Sequence, residues 1–151
     1  MIIYNQDLAN LVDIPERSVD AIVAVSSLEH NSPDVLEQVV AELMRVLKPG
    51  CAPYATLRAA RESDWFHTPS KGWCYSESTL RTIFNISTDI DSNYVQYDHL
   101  YGELRESKFL QENLASFYFH SGENGMPWGK WDPEYQPVGI RKVKQEDRFE
   151  H

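Results

Sequence analysis

The chain has 151 residues, 42% of them hydrophobic, which is the usual size and composition of one globular domain with a sizeable core. Its 23 acidic and 14 basic residues give a formal net charge of −9, which argues against nucleic acid as a general partner. No apolar stretch reaches the roughly 18 residues that span a bilayer, and the N-terminus lacks a signal-peptide pattern. We therefore expect a cytoplasmic protein that does not bind membranes.

The first predicted elements lead into one strongly apolar strand. Met1–Tyr4 is a short strand candidate, and residues 7–17, which include Pro15, predict a short helix or loop. Val19–Val25 is almost continuously apolar and rich in β-branched residues. This pattern favours a parallel strand in the middle of a sheet, covered on both faces.

A helix and a second strand follow this apolar strand. Residues 26–31 form a polar corner, after which Ser32 is a plausible N-cap and Pro33 takes the first helical position. The apolar residues at helical spacing are Leu36, Val40, Leu43 and Leu47. We expect Lys48-Pro49-Gly50 to end the helix and residues 52–57 to form the next strand. A right-handed crossover of this kind makes the two strands parallel neighbours, with any ligand at their carboxyl ends.

The second half of the chain predicts shorter elements around an aromatic connection. Residues 58–76 are a long segment of the kind that often carries function. Ser76 is a plausible cap for a helix that ends near Asn85. The remaining predicted elements are a strand at 94–97, a helix at 107–119, a loop at 121–137, a strand at 138–143 and a frayed tail at 145–151. Together these elements predict a single α/β domain over residues 1–151, with a core at 1–100 and the C-terminal helix, aromatic loop and last strand at 101–144.

Several stretches of the first third resemble the second half of class I S-adenosylmethionine-dependent methyltransferases. They are Asp7 with Pro15, Ser18-Val19-Asp20-Ala21-Ile22, Ser27-Leu28-Glu29-His30, and Glu42-Leu43-Met44-Arg45-Val46-Leu47-Lys48-Pro49-Gly50. The Arg-Val-Leu-Lys-Pro-Gly part is the most specific. The resemblance implies a truncated Rossmann-like methyltransferase sheet, mostly parallel with an antiparallel C-terminal strand and with helices on its faces. It also implies S-adenosylmethionine as cofactor and a small molecule as methyl acceptor.

The resemblance also implies roles for residues near the ends of the strands. In the family, the acid after the third strand recognises the adenine amino group, and this role falls to Asp7, with Leu8 beside it. The corner after the fourth strand lines the cofactor and acceptor cleft, and this role falls to Ser26, Ser27 and Leu28. The same corner gives His30 as a catalytic candidate, a general base near neutral pH, with Glu29 to orient it or to contact a substrate amine.

Each of these roles has a structural alternative. Asp7 is equally suited to capping a turn, and a hydroxyl-rich corner can satisfy its own backbone. The substrate-pocket candidates are Trp65, His67, Trp73 and Tyr75, with Trp128 and Trp131 as further aromatic wall residues. Aromatic clusters are more often part of a core or lid than of a pocket. Cys51, Cys74 and His67 match no compact zinc pattern, so we expect no metal site.

The sequence departs from the family in its first loop. The only glycine before residue 72 is Gly50, so the Gly-x-Gly turn that holds the methionine part of the cofactor has no counterpart. The chain starts at what would be the third strand, and in the family's sheet the first two strands lie between the third and the fourth. Val19–Val25 would then be an edge with free backbone donors and acceptors. We therefore predict a homo-oligomer or a partner that supplies strands.

Three functional hypotheses follow from this combination. The first is a methyltransferase-like protein that acts on a small acceptor but is not competent alone, because the cofactor cradle is missing. The alternative is a non-catalytic remnant or assembly module that oligomerises through an exposed sheet edge. A third reading is a different small-molecule-binding domain that uses the corner at 26–30 and the aromatic connection.

Overall fold

A computed structural model describes residues 2–113 and 133–146. The strands are β1 (Val19–Val25), β2 (Leu47–Ala59), β3 (Trp65–His67), β4 (Gly72–Tyr75) and β5 (Gln136–Arg141). The helices are α1 (Pro33–Val46), α2 (Glu77–Ile83), α3 (Tyr97–Glu106) and α4 (Lys108–Asn113), with one 3-10 turn at Leu28–His30. The end of the helix predicted at 107–119, most of the loop at 121–137 with Trp128 and Trp131, and most of the tail lie outside the described residues.

The predicted unit of strand, crossover helix and strand is confirmed. Helix α1 begins at Pro33, after an extended Ser32 with φ −66° and ψ 160°. It ends at Val46, before Lys48, and the chain runs directly into β2 from Leu47. Gly50 has φ +78°, so the positive φ that favours glycine falls inside the start of this strand. Strands β1 and β2 are parallel, with Val25 opposite Thr56.

Strand β2 organises the sheet through both of its edges. One edge pairs with β1 and, further along, with β4, both in parallel; the other edge pairs with β5 in antiparallel orientation. Strand β3 forms an antiparallel hairpin with β4 inside the segment predicted as a long connection. The predicted α/β fold with an antiparallel C-terminal strand is therefore confirmed, and the β3–β4 hairpin adds a second antiparallel pair. The prediction of a strand at 94–97 is wrong, because this segment is a turn that leads into α3.

The two faces of the sheet differ strongly in burial. Helices α1 and α2 pack on one face, where the core residues include Leu36, Leu43, Leu57, Leu80 and Phe84. On the opposite face of the parallel pair, Val23 is 73% exposed, Val25 67% and Tyr54 46%. The expectation that β1 is covered on both faces is therefore wrong. An apolar run shows that a strand can be buried on both faces. It does not show whether other elements are present to cover both faces.

Strand β1 is an edge of the described sheet. Among the described strands it pairs with β2 alone, as predicted. Residues 2–4 do not pair with it and form no strand, and Ile2 and Ile3 are 77% and 79% exposed. The strand predicted at the N-terminus is therefore wrong over these residues, because no neighbouring strand offers them backbone partners.

Two side chains of α1 hold the segment that precedes β1. Glu42 accepts a hydrogen bond from the backbone N–H of Leu11 at 3.0 Å. Arg45 donates to the carbonyl oxygens of Leu11 at 2.9 Å and Ile14 at 3.2 Å. The arginine of the Arg-Val-Leu-Lys-Pro-Gly stretch therefore fixes the chain that leads into β1. Within the described residues, no helix is long and apolar enough to cross a membrane.

Candidate functional site

The candidate site is the corner at the carboxyl end of β1. Ser26 has φ +47°, and its N–H donates to the hydroxyl of Thr56 at 3.1 Å and to its carbonyl at 3.3 Å, which ends the strand. The chain then makes the 3-10 turn Leu28–His30. Within this turn Leu28 and Glu29 are each 1% exposed, whereas His30 is exposed. The turn therefore directs a carboxylate into the protein and an imidazole toward the surface.

The buried carboxylate of Glu29 has one weakly paired and one unpaired oxygen. Its Oε1 lies 3.4 Å from Nε of Arg58, whose side chain is 11% exposed. Its Oε2 is buried and has no hydrogen-bond partner within residues 2–113 and 133–146. A buried polar atom without a partner costs about 1 to 3 kcal/mol, and such atoms in native structures often mark functional sites. Glu29 is therefore the strongest candidate for contact with a ligand.

The side chain of Tyr75 contacts the backbone of the corner. It is fully buried, and its hydroxyl donates to the carbonyl of Asn31 at 2.6 Å and approaches that of Leu28 at 3.4 Å. Burial raises the pKa of Tyr75, so the phenol keeps its proton and remains a donor. Tyr75 thus holds the backbone of the turn, and its place in a substrate pocket stays a prediction.

His67 joins the corner from β3. Its Nδ1 lies 2.5 Å from the hydroxyl of Ser70 and its Nε2 2.9 Å from Oε2 of Glu134. Burial lowers the pKa of His67, against the opposing influence of Glu134. Because Arg58 also donates to the hydroxyl of Ser70, His67 is linked to the residue that faces Glu29. The structure therefore brings together Glu29 and His67, which the sequence placed in separate roles.

The other aromatic candidates lie around this group. Trp65 contacts His67 edge-on, with 5.7 Å between ring centroids. Trp73 is half-buried, packs against the hydrophobic core and contacts Phe66 at 5.6 Å. The two tryptophans thus have different surroundings, and Trp73 belongs with the core.

His30 is held away from Glu29. Its Nδ1 lies 3.0 Å from the carbonyl oxygen of Lys71, and since a carbonyl only accepts, Nδ1 carries the hydrogen. A neutral imidazole then has its lone pair on Nε2, as a general base requires. In this arrangement the carbonyl of Lys71 orients His30, and Glu29 faces Arg58.

The predicted adenine contact lies on the segment before β1. Asp7 is exposed, and its Oδ1 accepts a hydrogen bond from the N–H of Ala9 at 2.9 Å. Leu8 is 39% exposed. In the described residues, neither side chain has a recorded contact with the corner at 26–30. Asp7 makes the turn contact that the structural alternative predicts, and its recognition of adenine stays a prediction.

Several backbone and side-chain groups near the corner already have partners within the protein. The N–H of Ser26 is already paired with Thr56, and one oxygen of Asp7 is used in its own turn. Gly50 lies near Glu146, and Gly72 packs against Arg58. What the corner offers is a buried acceptor oxygen and an exposed imidazole at the end of a parallel strand.

Four residues of this group were missed from the sequence. They are Arg58, Ser70 and Glu134, together with Tyr135, whose ring centroid lies 4.7 Å from Cζ of Arg58 and 5.2 Å from that of His67. Arg58 did have a signal, since it is the first charged residue after the apolar run of β2 and so stands near the carboxyl end of a parallel strand. Glu134 has no comparable local pattern. In the described ranges, no group of three His, Cys, Asp or Glu residues could hold a metal ion.

Comparisons with known proteins found similarity in the first third of the sequence and in the fold. Residues 2–53 match the family described as methyltransferase domain. The structure of Haemonchus contortus phosphoethanolamine N-methyltransferase 2 is similar at 12% identity, covering 93% of this chain and 36% of that one, with a TM-score of 0.57. YcgJ from Bacillus subtilis is similar at 16% identity, covering 93% of this chain and 70% of that one, with a TM-score of 0.53.

A third solved structure, the [4+2]-cyclase SpnF, is 27% identical over 52% of this chain and 28% of its own, with a TM-score of 0.43. No curated protein matches the sequence. The chain thus spans well under two thirds of SpnF and of the nematode enzyme. Residues 2–53 are therefore similar to the methyltransferase-domain family, and the chain has the Rossmann-like fold of the nematode enzyme and of YcgJ, in agreement with the resemblance to class I S-adenosylmethionine-dependent methyltransferases that its motifs predicted.

Proposed function

We propose that the chain takes part in S-adenosylmethionine-dependent methyl transfer to a small acceptor and contributes the acceptor side of the site. The observation that carries this proposal is the buried Glu29, whose Oε2 has no partner at the carboxyl end of β1. This residue lies within the part of the chain that matches the methyltransferase family. Ligands in open α/β sheets bind at this end of the strands.

In this proposal Glu29 and His30 act on the acceptor in different ways. Oε2 of Glu29 accepts a hydrogen bond from the acceptor and so fixes its orientation. Nε2 of His30 has the lone pair that can take a proton from the acceptor. Correct placement of the reacting groups supplies most of the rate enhancement, since methyl transfer is sensitive to alignment.

A solved structure with a similar fold supports the proposal that S-adenosylmethionine is the cofactor. The nematode enzyme is described in complex with phosphomonomethylethanolamine and S-adenosylhomocysteine. We propose that Ser26, Ser27 and Leu28 of the present chain border the cofactor at the carboxyl end of β1, and that tight cofactor binding requires a further polypeptide that pairs with this chain. Cofactor chemistry would supply the methyl group, and the corner would hold the acceptor.

Calorimetry with S-adenosylmethionine tests this proposal on the whole chain. We expect weak, saturable binding with a Kd of roughly 1 mM, about −4 kcal/mol, because only part of a cofactor site is present. A micromolar Kd would contradict the need for further polypeptide. No saturable heat up to about 10 mM ligand would remove the methyltransferase-like role of this chain.

The exposed edge of β1 supports assembly as a second function. Val23 and Val25 are 73% and 67% exposed, and among the described strands only β2 pairs with β1. A free, apolar strand edge is a template for pairing with another chain. We propose that β1 pairs with β1 of a second copy or with a strand supplied by a partner.

Light scattering combined with gel filtration tests this assembly. We expect a mass above that of the 17.5 kDa monomer, and Val23→Lys should shift it toward the monomer. Val95→Lys is the matched control, since Val95 is 81% exposed outside the sheet. A monodisperse monomer for the unmodified chain at all concentrations would contradict pairing between copies.

A further inference from the structure

A chain of polar side chains connects the buried corner with the segment before β5. Arg58 lies 3.4 Å from Glu29 through Nε and donates to the hydroxyl of Ser70 through Nη1. That hydroxyl lies 2.5 Å from Nδ1 of His67, and Nε2 of His67 lies 2.9 Å from Glu134. Five side chains from four separate parts of the sequence therefore form one continuous network.

Only one arrangement of hydrogens satisfies the outer part of this network at neutral pH. Burial is the main cause that lowers the pKa of His67, so its imidazole is neutral and has one N–H. The carboxylate of Glu134 can only accept, which places this hydrogen on Nε2. Nδ1 then accepts from the hydroxyl of Ser70, and the same oxygen accepts from Arg58. The donor and the acceptor of each hydrogen bond in this part of the network are therefore fixed.

The guanidinium of Arg58 is also confined by packing. It lies over the ring of Tyr135, with 4.7 Å from Cζ to the ring centroid. Gly72 leaves the space that it occupies, because a Cβ at this position would lie 2.5 Å from Nη1 and 2.9 Å from Cζ. The hydroxyl of Ser70 holds it on a third side. Arg58 is therefore fixed by contacts that do not involve Glu29.

This confinement explains why Glu29 has an unpaired oxygen. A guanidinium free to rotate could form two parallel hydrogen bonds with the carboxylate, but Arg58 reaches only Oε1, at a distance too long for a strong bond. Among the described residues, Oε2 therefore remains a buried acceptor whose hydrogen-bonding capacity is unused. Because the charge of Arg58 already offsets that of Glu29, a second cation would gain little net attraction and would lose its hydration on burial, whereas a neutral donor loses less.

We propose that Arg58 is a positioning residue, held by Ser70, His67 and Glu134, that directs Oε2 of Glu29 at a neutral hydroxyl or N–H group of the methyl acceptor. The proposal rests on the proposed function, since it names the class of acceptor that the same corner takes. It assigns recognition of the acceptor to the hydrogen-bond donor and not to a positive charge.

Three small probes that share one ring and one methylene test the class of acceptor. Benzyl alcohol offers a neutral donor, benzyl methyl ether offers none, and benzylamine is a cation at pH 7. Binding is followed by the 13Cδ signal of Glu29, which the Glu29→Gln variant assigns. We expect benzyl alcohol to bind at least about tenfold more tightly than the other two probes. Equal binding of alcohol and ether, or tightest binding of the amine, would overturn the proposal.

Arginine variants test the positioning role with the same signal. Arg58→Lys keeps the charge but loses the planar group, and it should weaken binding of benzyl alcohol by about tenfold. Arg61→Lys is the control, because Arg61 pairs with Asp98 on the surface, with both side chains more than half exposed. If Arg58→Lys does not fold, Ser70→Ala replaces it, with the same loss expected. Unchanged binding in a folded variant would overturn the positioning role.

These measurements use no cofactor, so they separate the two proposals. Selective binding of benzyl alcohol together with absent S-adenosylmethionine binding would sustain the donor site and contradict the methyltransferase-like function. Weak but saturable S-adenosylmethionine binding without selectivity among the probes would sustain that function and contradict the donor site.

Discussion

Removal of Arg58 should destabilise the protein because it leaves a carboxylate buried without its cation. In the variant Arg58→Met, Glu29 would stay 1% exposed without its ion-pair partner. Loss of one partner of a buried ion pair costs about 3 to 5 kcal/mol. Since the pair is separated by 3.4 Å, we expect a value near the lower limit, about 3 kcal/mol.

A second substitution should restore part of this loss. The double variant Glu29→Leu with Arg58→Met removes both charges and replaces them with apolar groups, which is often close to neutral. The lost bond to Ser70 and the lost contact with Tyr135 remain, at about 1 kcal/mol each. We therefore expect the double variant to be about 1 kcal/mol more stable than Arg58→Met.

Urea unfolding measures both effects as changes in the free energy of unfolding. Arg61→Met is the matched control, and it should cost less than about 1 kcal/mol because the Arg61–Asp98 pair is exposed. A double variant as unstable as Arg58→Met, or less stable, would refute the reasoning. It would mean that packing of Arg58, and not the charge of Glu29, determines the loss.

Three further predictions concern a helix cap, a thiol and a buried imidazole. Ser76→Ala should lower the free energy of unfolding by about 1 kcal/mol in urea, because its hydroxyl accepts from the N–H of Thr79, whereas Ser32→Ala should cost less than about 0.5 kcal/mol, because Ser32 makes no side-chain cap bond. Burial raises the pKa of Cys74 to about 12, so iodoacetamide at pH 8 should modify one thiol per folded chain and both in urea; modification of both in the folded protein would contradict this burial. His67 has a lowered pKa when folded, so the unfolded chain binds a proton that the folded chain does not, and stability should fall as the pH drops below about 6.5. His67→Gln should make this fall smaller, and an unchanged pH profile would refute it.

The first half of the fold could be predicted because its signals are local. The apolar run of β1, the Pro33 start and the stripe that includes Leu36 and Leu43 each depend on neighbours within a few residues. The antiparallel last strand followed from the resemblance. The exposed face of β1 could not be predicted from its composition, because Val23 and Val25 would fit a buried strand equally well.

The candidate site could be predicted only in part, because its contacts join distant residues. The corner at Glu29 was identified, but its pairing with Arg58 depends on register. Since Val25 lies opposite Thr56, β2 extends past the end of β1, and Arg58 reaches the turn that follows β1. Glu134 comes to the same place only through the pairing of β5 with β2. Neither relation can be read from local sequence.

The prediction for the segment 94–97 failed for a related reason. Its tyrosines suggested a strand, but Tyr94 and Tyr97 are three residues apart and stack with 6.2 Å between ring centroids. Their hydroxyls donate to the carbonyls of Tyr75 and Ala59, which fix the turn before α3. Anchoring by these tertiary hydrogen bonds overrides the strand propensity of the aromatic residues.

The measurement that tests the central claim most directly is a 1H–15N NMR titration of the whole chain with S-adenosylhomocysteine. The account predicts shifts concentrated in the amides of residues 26–30, at ligand concentrations of roughly 1 mM and above. Chemical-shift changes at Asp7 and Leu8 would in addition support the predicted contact with adenine. Shifts confined to other regions, with the amides around Glu29 unchanged at saturation, would contradict the claim that this corner is the ligand-facing part of a methyltransferase-like site.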